Sequence, residues 1–212
     1  MLDTPKRDRQ AERREATRQE ILDAAWAIAH EGGLSELTLR GVAERVGMRA
    51  PSLYFHFDSK NAIYDAMFGQ AWSACYAAMT ELHGRLAKEP RAAIKQIARA
   101  FFDFAVSDLA RHQLMNQRTI PNFEPSPEAY APSVKVLSDF RAVMADLGVR
   151  DDAAIDINTA LLGGLIDAQL ANDPGGDRWA KLLDRALDMY CDHLGIPPAT
   201  PLATPPNRRR TR

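Results

Sequence analysis

The sequence has few of the residues that disulfide-stabilised, redox-active or zinc-binding proteins depend on. Its 212 residues contain only two cysteines, Cys75 and Cys191, which are far apart and form no CxxC pattern. Both lie in apolar helical patterns, so two buried, reduced thiols are expected rather than a disulfide or a redox switch. No apolar run approaches the roughly 18 residues of a membrane span, and the N-terminus lacks the apolar segment of a signal peptide. We therefore expect a cytoplasmic protein that does not enter a membrane.

Motifs of common enzymes and metal sites are missing as well. The sequence contains no HExxH, P-loop, GxSxG or GxGxxG pattern. The five histidines, at positions 30, 56, 83, 112 and 193, include no pair three or four residues apart. The sequence therefore predicts no catalytic residue, no metal site and no cofactor.

The alternation of apolar and polar residues that marks β-strands is also absent. Apolar residues recur at helical spacing instead. Aliphatic residues, aromatic residues and cysteines together make up 46% of the chain, which is enough for a normal core. One example of this helical spacing is the series Ile63, Met67, Ala71, Cys75 and Met79. The predicted fold class is all-α.

Residues 38–60 contain the pattern of a helix, a tight turn and a second short helix. Thr38 can cap the first helix with its hydroxyl group, and Gly47 ends it, because glycine adopts positive φ at little cost. Pro51 stands where its fixed φ suits the first turn of a second helix, predicted at residues 51–57. The apolar face of the first helix consists of Leu39, Val42, Ala43 and Val46.

The second helix is too short to be stable alone, since isolated helices below about 12 residues are marginal. Leu53 can hold it against the first helix. With Ala50 as its cap, no side-chain oxygen occupies the free N–H groups of its first turn, so these groups could bind a phosphate. The side chains expected to point outward are Ser52, Tyr54 and His56.

The residues T-x-R-x-V-A-x-x-x-G and A-P-S-L-Y-x-H-F-x-S-K of this stretch resemble the DNA-binding domain of the tetracycline-repressor (TetR) family. The resemblance extends back through residues 17–33 and forward through residues 61–67. Residues beyond this region match the family only in length and helical character. The resemblance implies an N-terminal three-helix helix-turn-helix domain and a C-terminal helical bundle for ligand binding and dimerisation.

On this basis we divide the chain into four segments. Residues 1–16 are densely charged and are predicted to be a flexible arm or a solvated helix extension. Residues 17–62 form the helix-turn-helix DNA-binding domain, and residues 63–195 form the effector-binding and dimerisation domain. Residues 196–212, with five prolines and four arginines, are predicted to be disordered.

The predicted partner of the N-terminal domain is double-stranded DNA with a palindromic operator. Residues 1–60 contain ten basic and ten acidic residues, so DNA binding must depend on where single basic groups are placed. The resemblance implies phosphate contacts by Tyr54, Lys60 and Thr38. A guanidinium group can bond O6 and N7 of guanine together, which makes Arg40 and Arg49 candidates for base reading. The predicted DNA-binding set is Thr38, Arg40, Arg49, Ala50, Ser52, Tyr54, His56 and Lys60, with Arg45 solvated and with Phe55 and Phe57 in the core.

The C-terminal region combines many aromatic side chains with a few polar groups. A packed core would use the same residues, but this mixture is also what a small-molecule pocket requires, and the resemblance favours the pocket. We expect a mainly apolar effector with one hydroxyl, carbonyl or carboxyl group that meets His112, Gln113 or Asn116. The predicted ligand-binding residues are Trp72, Tyr76, Phe101, Phe104, His112 and Asn116.

Two glycines interrupt an apolar helical pattern at Gly163 and Gly164. Each costs about 1 kcal/mol relative to alanine, so a closely packed neighbouring helix is expected to compensate. That neighbour belongs to a second copy in the homodimer that the resemblance implies, or alternatively to the same chain. The predicted dimer interface is Leu162, Gly163, Gly164, Ile166, Leu183 and Leu187.

Together these patterns predict a ligand-responsive transcriptional regulator, a repressor released from its operator by a small-molecule effector. One alternative is an enzyme that acts on an apolar metabolite with His112 as its base, although no second catalytic group stands at a recognisable spacing. The other is a DNA-binding protein without an effector. Turnover of a bound ligand would identify the enzyme, and ligand-induced loss of operator binding would identify the regulator.

Overall fold

The computed structural model describes residues 9–198. These residues form helices joined by turns and loops, with no β-strand among them, which confirms the all-α prediction. Residues 1–8 of the charged arm and residues 199–212 of the tail predicted to be disordered lie outside this range. The helices are α1 (Arg9–Gly32), α2 (Leu39–Val46), α3 (Ala50–Tyr54), α4 (Lys60–His83), α5 (Pro90–Val106), α6 (Leu109–Asn116), α7 (Pro127–Asp146), α8 (Asp152–Asn172) and α9 (Leu183–His193).

Helix α1 begins at Arg9, before the capping box expected at Thr17. For residues 9–16 the helix extension is therefore the correct alternative. This extended helix supports the end of α3, because the Arg18 guanidinium donates to the carbonyl oxygen of His56 and lies 4.1 Å from the centre of the Phe57 ring.

The N-terminal core is formed by α1, α2, α3 and the first half of α4. Leu53 and Phe57 are buried in it, as expected. The prediction was wrong for Phe55, which is 70% exposed. Helix α3 ends at Tyr54 rather than at residue 57, and the turn that follows directs Phe57 inward and leaves Phe55 at the surface.

Helix α2 begins and ends where the sequence predicts, and side-chain caps also start α4 and α7. The Thr38 hydroxyl accepts a hydrogen bond from the Gly41 N–H at 3.0 Å, and Gly47 adopts φ 75°. Ser59 caps α4 and Ser126 caps α7 in the same way. These caps fix where α2 begins and ends, and where α4 and α7 begin.

The C-terminal core is formed by α5, α8, α9 and the end of α7. A short 3-10 turn, Ala180–Leu182, precedes α9. Leu182 and Met189 are exposed. Leu109 begins α6 and is also exposed. Helix α7 is continuous through Pro132.

A buried arginine joins α5 to α9. Arg91 donates to the carboxylates of Asp188 and Asp192 and to the carbonyl oxygen of Ile196. Lys95 contacts Asp188 at 2.7 Å. Its hydrogen bond is the main reason that the pKa of Asp188 lies below its ordinary value, with the hydrogen bond from Arg91 as a smaller cause.

Helix α4 connects the N-terminal core to the C-terminal core and packs closely against α7. A Cβ atom placed on Gly69 would lie 3.4 Å from the Cα of Ala129, which is ordinary van der Waals contact, so the two helices approach closely at this glycine. Near this contact, Asp65 accepts hydrogen bonds from the N–H and the hydroxyl group of Ser126. The start of α7 is therefore fixed to the first half of α4.

Candidate nucleic-acid interface and ligand cavity

Helix α3 rests on the N-terminal core through Leu53 and exposes the rest of its surface. Its N-cap is Arg49, which makes no side-chain cap. The prediction of Ala50 as the cap was wrong by one residue, since Ala50 is the first helical residue and Pro51 the second. No side chain bonds the N–H groups of the first turn, but Pro51 has no N–H and the N–H of Ser52 donates to the carbonyl oxygen of Arg49 at 2.9 Å. Few N–H groups of this turn are therefore left for a phosphate. The exposed residues of α3 are Ala50, Pro51, Ser52 and Tyr54.

The arginines near α3 differ in whether an acidic side chain of the protein already binds them. Arg40 lies 2.7 Å from Glu44, and this hydrogen bond raises the pKa of Arg40. Arg45, expected to be solvated, is held by Glu31, whose pKa is lowered by that bond. Arg49 is exposed and forms no ion pair with any residue in the range 9–198. Of the predicted base readers, Arg49 is available at once, whereas Arg40 must first leave Glu44.

The two predicted contacts that follow α3 are less exposed than the others. His56 is half-buried, and its Nδ1 has no hydrogen-bond partner within the described part of the chain. Lys60 begins α4, with its ammonium group 5.5 Å from the centre of the Tyr64 ring. The Tyr64 hydroxyl donates to the carbonyl oxygen of Leu34 at 2.5 Å, which fixes the ring beneath the lysine.

Seven of the eight predicted DNA-binding residues belong to α2, α3, the first turn of α4 or the segments that join them, and Thr38 is the N-cap of α2. Arg14, in the charged arm, was not among the eight residues predicted to contact DNA. Its guanidinium lies 5.3 Å from the ring centre of the exposed Phe55. The dense charge of residues 1–16 was visible in the sequence, but the helical register that brings Arg14 to Phe55 was not.

A cavity of about 310 Å³ lies between α4, α5, α6, α7 and α8. Four of the six predicted ligand-binding residues line it, namely Trp72, Phe101, His112 and Asn116. The other two do not. Tyr76 contacts the ammonium group of Lys135, and Phe104 lies under the guanidinium of Arg111.

The polar groups expected to meet the ligand are largely engaged within the protein. His112 Nε2 lies 2.9 Å from a carboxylate oxygen of Asp167, and Asn116 Nδ2 lies 3.3 Å from His112 Nδ1. Gln117 donates to the same oxygen of Asp167 at 3.1 Å. Gln113 does not line the cavity but a second one, beside His30 and Asp108, whose side chains lie 2.9 Å apart.

The cavity wall contains two buried N–H groups that have no hydrogen-bond partner among residues 9–198. They are Nε1 of Trp72 and Nδ2 of Asn158, and Asn158 is only 3% exposed. The sequence places Asn158 on the apolar stripe of α8, which was a signal of a buried polar group but did not show what it faces.

The predicted dimer interface needs correction. Leu162, Ile166, Leu183 and Leu187 are buried in the core of their own chain, so their side chains do not reach a surface that a second copy could contact. The apolar periodicity was read correctly, but it reflects packing of α8 and α9 within one chain. Gly163 lines the cavity, and Gly164 is exposed.

Other groups of chemical interest are few in the described residues. Cys75 and Cys191 are buried and unbonded, as expected, and burial raises the pKa of Cys75 to about 12. Within residues 9–198, no three His, Cys, Asp or Glu side chains are grouped as a metal site would need. No helix in that range combines the length and apolar character needed to cross a membrane.

The N-terminal domain is similar in sequence to domains of known proteins. The family profile described as "Bacterial regulatory proteins, tetR family" matches residues 21–67. The chain is 38% identical to the class D tetracycline repressor protein of Escherichia coli over 50 residues, which are 24% of this chain and 23% of that protein. It is 32% identical to the class G tetracycline repressor protein of Vibrio anguillarum over 109 residues, 49% of each chain.

The fold likeness extends further. A TetR-family transcriptional regulator from Bordetella parapertussis superimposes with a TM-score of 0.61 at 19% identity, over 87% of this chain and 100% of that one. In sequence, the chain spans between about a quarter and a half of the length of these tetracycline repressors. Residues 21–67 of the chain therefore form a domain of the tetR family of bacterial regulatory proteins.

Proposed function

We propose that the protein is a DNA-binding transcriptional repressor that acts as a homodimer and leaves its operator when a small, mainly apolar effector fills the cavity. The observation that carries this proposal is the course of α4. The helix begins with Lys60 at the helix-turn-helix surface, and its second half, from Trp72 to His83, contributes to the cavity wall. At 1.5 Å per residue, Trp72 lies about 18 Å along the axis from Lys60.

On the DNA side, α3 enters the major groove and the flanking residues hold the backbone. Thr38, Tyr54 and Lys60 contact phosphates, which position the protein without reading sequence. Arg49 reads guanine, and Arg40 can do so after leaving Glu44. In a dimer, the two α3 helices meet half-sites about one helical turn apart, or a multiple of it.

On the effector side, the lining of the cavity selects against strongly charged ligands. It is mostly aliphatic and aromatic, and no lysine or arginine among the described residues lines it. An effector that fits the cavity better when α4 is displaced lowers operator affinity. By linkage, operator DNA then lowers effector affinity by the same factor.

The exposed face of α8 and α9 supports the dimer. Ile157, Ala160 and Gly164 are exposed and follow one another on one side of α8, and Met189 is 67% exposed on α9. These residues, rather than the four buried apolar residues predicted from periodicity, are the ones that a second copy would cover.

The enzyme alternative finds less support. The similar proteins named above are repressors and a transcriptional regulator. The supposed base, His112, has both ring nitrogens engaged by Asp167 and Asn116. The cavity in turn favours a regulator with an effector over a DNA-binding protein without one.

DNA selected from a random duplex library by the purified full-length chain tests this proposal. Anisotropy titrations with the enriched sequence at several salt concentrations then compare Lys60→Ala with Lys88→Ala, an exposed lysine beyond the end of α4. For Lys60→Ala, the slope of log K against log salt should fall in magnitude by about 0.9 for each phosphate that the lysine neutralises in the wild type, while Lys88→Ala keeps the wild-type slope. Failure to enrich any sequence would refute the DNA-binding function, and an unchanged slope for Lys60→Ala would remove that residue from the interface.

A further inference from the structure

Asn158 differs from the other buried amide on α8. Gln169 is satisfied by the protein itself, because its Oε1 accepts from the N–H of Trp179 at 2.9 Å and from that of Ala180, and its Nε2 donates to the carbonyl oxygen of Asp173. Asn158 is equally buried, but its Nδ2 has no partner within residues 9–198. Gln169 therefore has a structural role that Asn158 lacks.

A similar contrast exists between two tryptophans. Trp26 Nε1 donates to the side-chain oxygen of Gln70 at 3.2 Å. Trp72 Nε1 is buried in the cavity wall with no partner in the described part of the chain. A buried N–H group without an acceptor leaves its loss of hydration uncompensated. Both walls of the cavity, α4 and α8, thus hold a buried donor for which residues 9–198 provide no acceptor.

Three further polar side chains of the lining are bonded within the protein. The Ser133 hydroxyl donates to the carbonyl oxygen of Tyr130 at 2.7 Å, and the Thr159 hydroxyl donates to that of Ile155 at 3.0 Å. Asp167 already accepts from His112 and Gln117. The lining therefore offers unused donors but neither a fixed positive charge nor an unengaged carboxylate.

We infer that Asn158 determines ligand specificity by donating a hydrogen bond to a carbonyl oxygen of the effector, which is a neutral, mainly apolar carbonyl compound. The inference rests on the proposed function and adds the chemical class of its ligand. The cavity of about 310 Å³ lies at the lower end of the roughly 300–1,000 Å³ range of small-molecule pockets. It therefore suits a small ligand.

Four probes of nearly equal size separate the chemical classes: propiophenone, propylbenzene, 3-phenylpropanoate and 3-phenylpropylamine. Calorimetric titration of the full-length protein at pH 8, above the ordinary pKa of histidine, measures each affinity. We expect propiophenone to bind about two- to tenfold more tightly than propylbenzene, because one net hydrogen bond changes an affinity by about this factor. The two charged probes should bind more weakly than propylbenzene.

Two variants locate the effect. Asn158→Leu should remove the preference for propiophenone while propylbenzene still binds. Ser133→Ala also changes a polar residue of the lining, but one whose hydrogen bond stays within the protein, so it should keep the preference. Melting curves check that each variant is folded. If leucine is too large for position 158, Asn158→Ala replaces it as the test variant.

The possible results separate this inference from the proposed function. If the preference persists in Asn158→Leu, or if wild-type protein binds all probes equally, the role of Asn158 is refuted and the cavity remains the effector site. A preference for the amine or the carboxylate refutes the ligand class. If no probe binds to the wild type, both the inference and the effector half of the proposed function fail, whereas DNA binding is unaffected.

Discussion

The adjacent glycines of α8 should separate ligand binding from dimerisation. A Cβ atom placed on Gly163 or on Gly164 meets nothing within 4 Å, but Gly163 lines the cavity and Gly164 is exposed. A side chain at Gly163 therefore enters the cavity, and one at Gly164 enters the proposed dimer face. The same substitution at two successive positions should affect two different functions.

The sizes of the effects follow from the geometry. A leucine side chain at Gly163 adds four carbon atoms to a cavity of about 310 Å³, which is near the lower limit for a small-molecule pocket. Propiophenone, with its ten non-hydrogen atoms, should no longer fit beside it. Alanine at either position should raise the free energy of unfolding by about 0.5–1 kcal/mol, because glycine is a poor helix former. For a chain of this size that corresponds to an increase of about 1–4 °C in melting temperature.

Calorimetry with propiophenone and analytical ultracentrifugation together test this prediction. Gly163→Leu should lose propiophenone binding and sediment as the wild type does, whereas Gly164→Leu should bind propiophenone and sediment as a monomer. The two alanine variants control for helix propensity. Propiophenone binding by Gly163→Leu would show that this position does not face the ligand site, and a dimeric Gly164→Leu would remove that face from the interface.

Two further predictions concern DNA reading and pH dependence. Arg49→Ala should relax discrimination at individual base pairs by about 1–3 kcal/mol in a scan of operator variants, and an equal loss at every position would contradict base reading. Asp188→Asn should lower the free energy of unfolding by about 1 kcal/mol at pH 7. The pKa of Asp188 is lowered in the folded state, chiefly by the hydrogen bond from Lys95, so its stabilisation is present above the unfolded pKa of about 3.9 and is lost as pH falls below it. Urea unfolding at pH 7 and pH 3 should show the difference between wild type and variant shrinking, and a constant difference would refute this assignment.

The sequence predicted best those features that depend on a few neighbouring residues. Gly47, Ser59 and Ser126 end or begin helices through contacts within four residues of chain, so their patterns could be read without the fold. The family resemblance rested on such local features together with the core positions of the N-terminal domain. Both come from one continuous stretch of sequence.

Features that depend on packing between distant segments were not predictable in the same way. Whether Phe55 or Phe57 turns inward depends on where α3 ends against α1. The apolar stripe of Leu162 and Ile166 would look the same whether it faced its own chain or a second copy. The importance of Asn158 appears only when five helices enclose a cavity, because its sequence neighbours are those of an ordinary buried helix.

The contacts between the two halves of the chain have a consequence for cooperativity. Asp108 caps α6 through the N–H of Arg111, and its second carboxylate oxygen contacts His30 of α1. Ser126 caps α7 and also bonds Asp65 of α4. Loss of the first turn of α6 or α7 therefore also removes a contact with α1 or with the first half of α4. Because local helix fraying and separation of the halves break the same bonds, the two halves should melt together rather than as independent units.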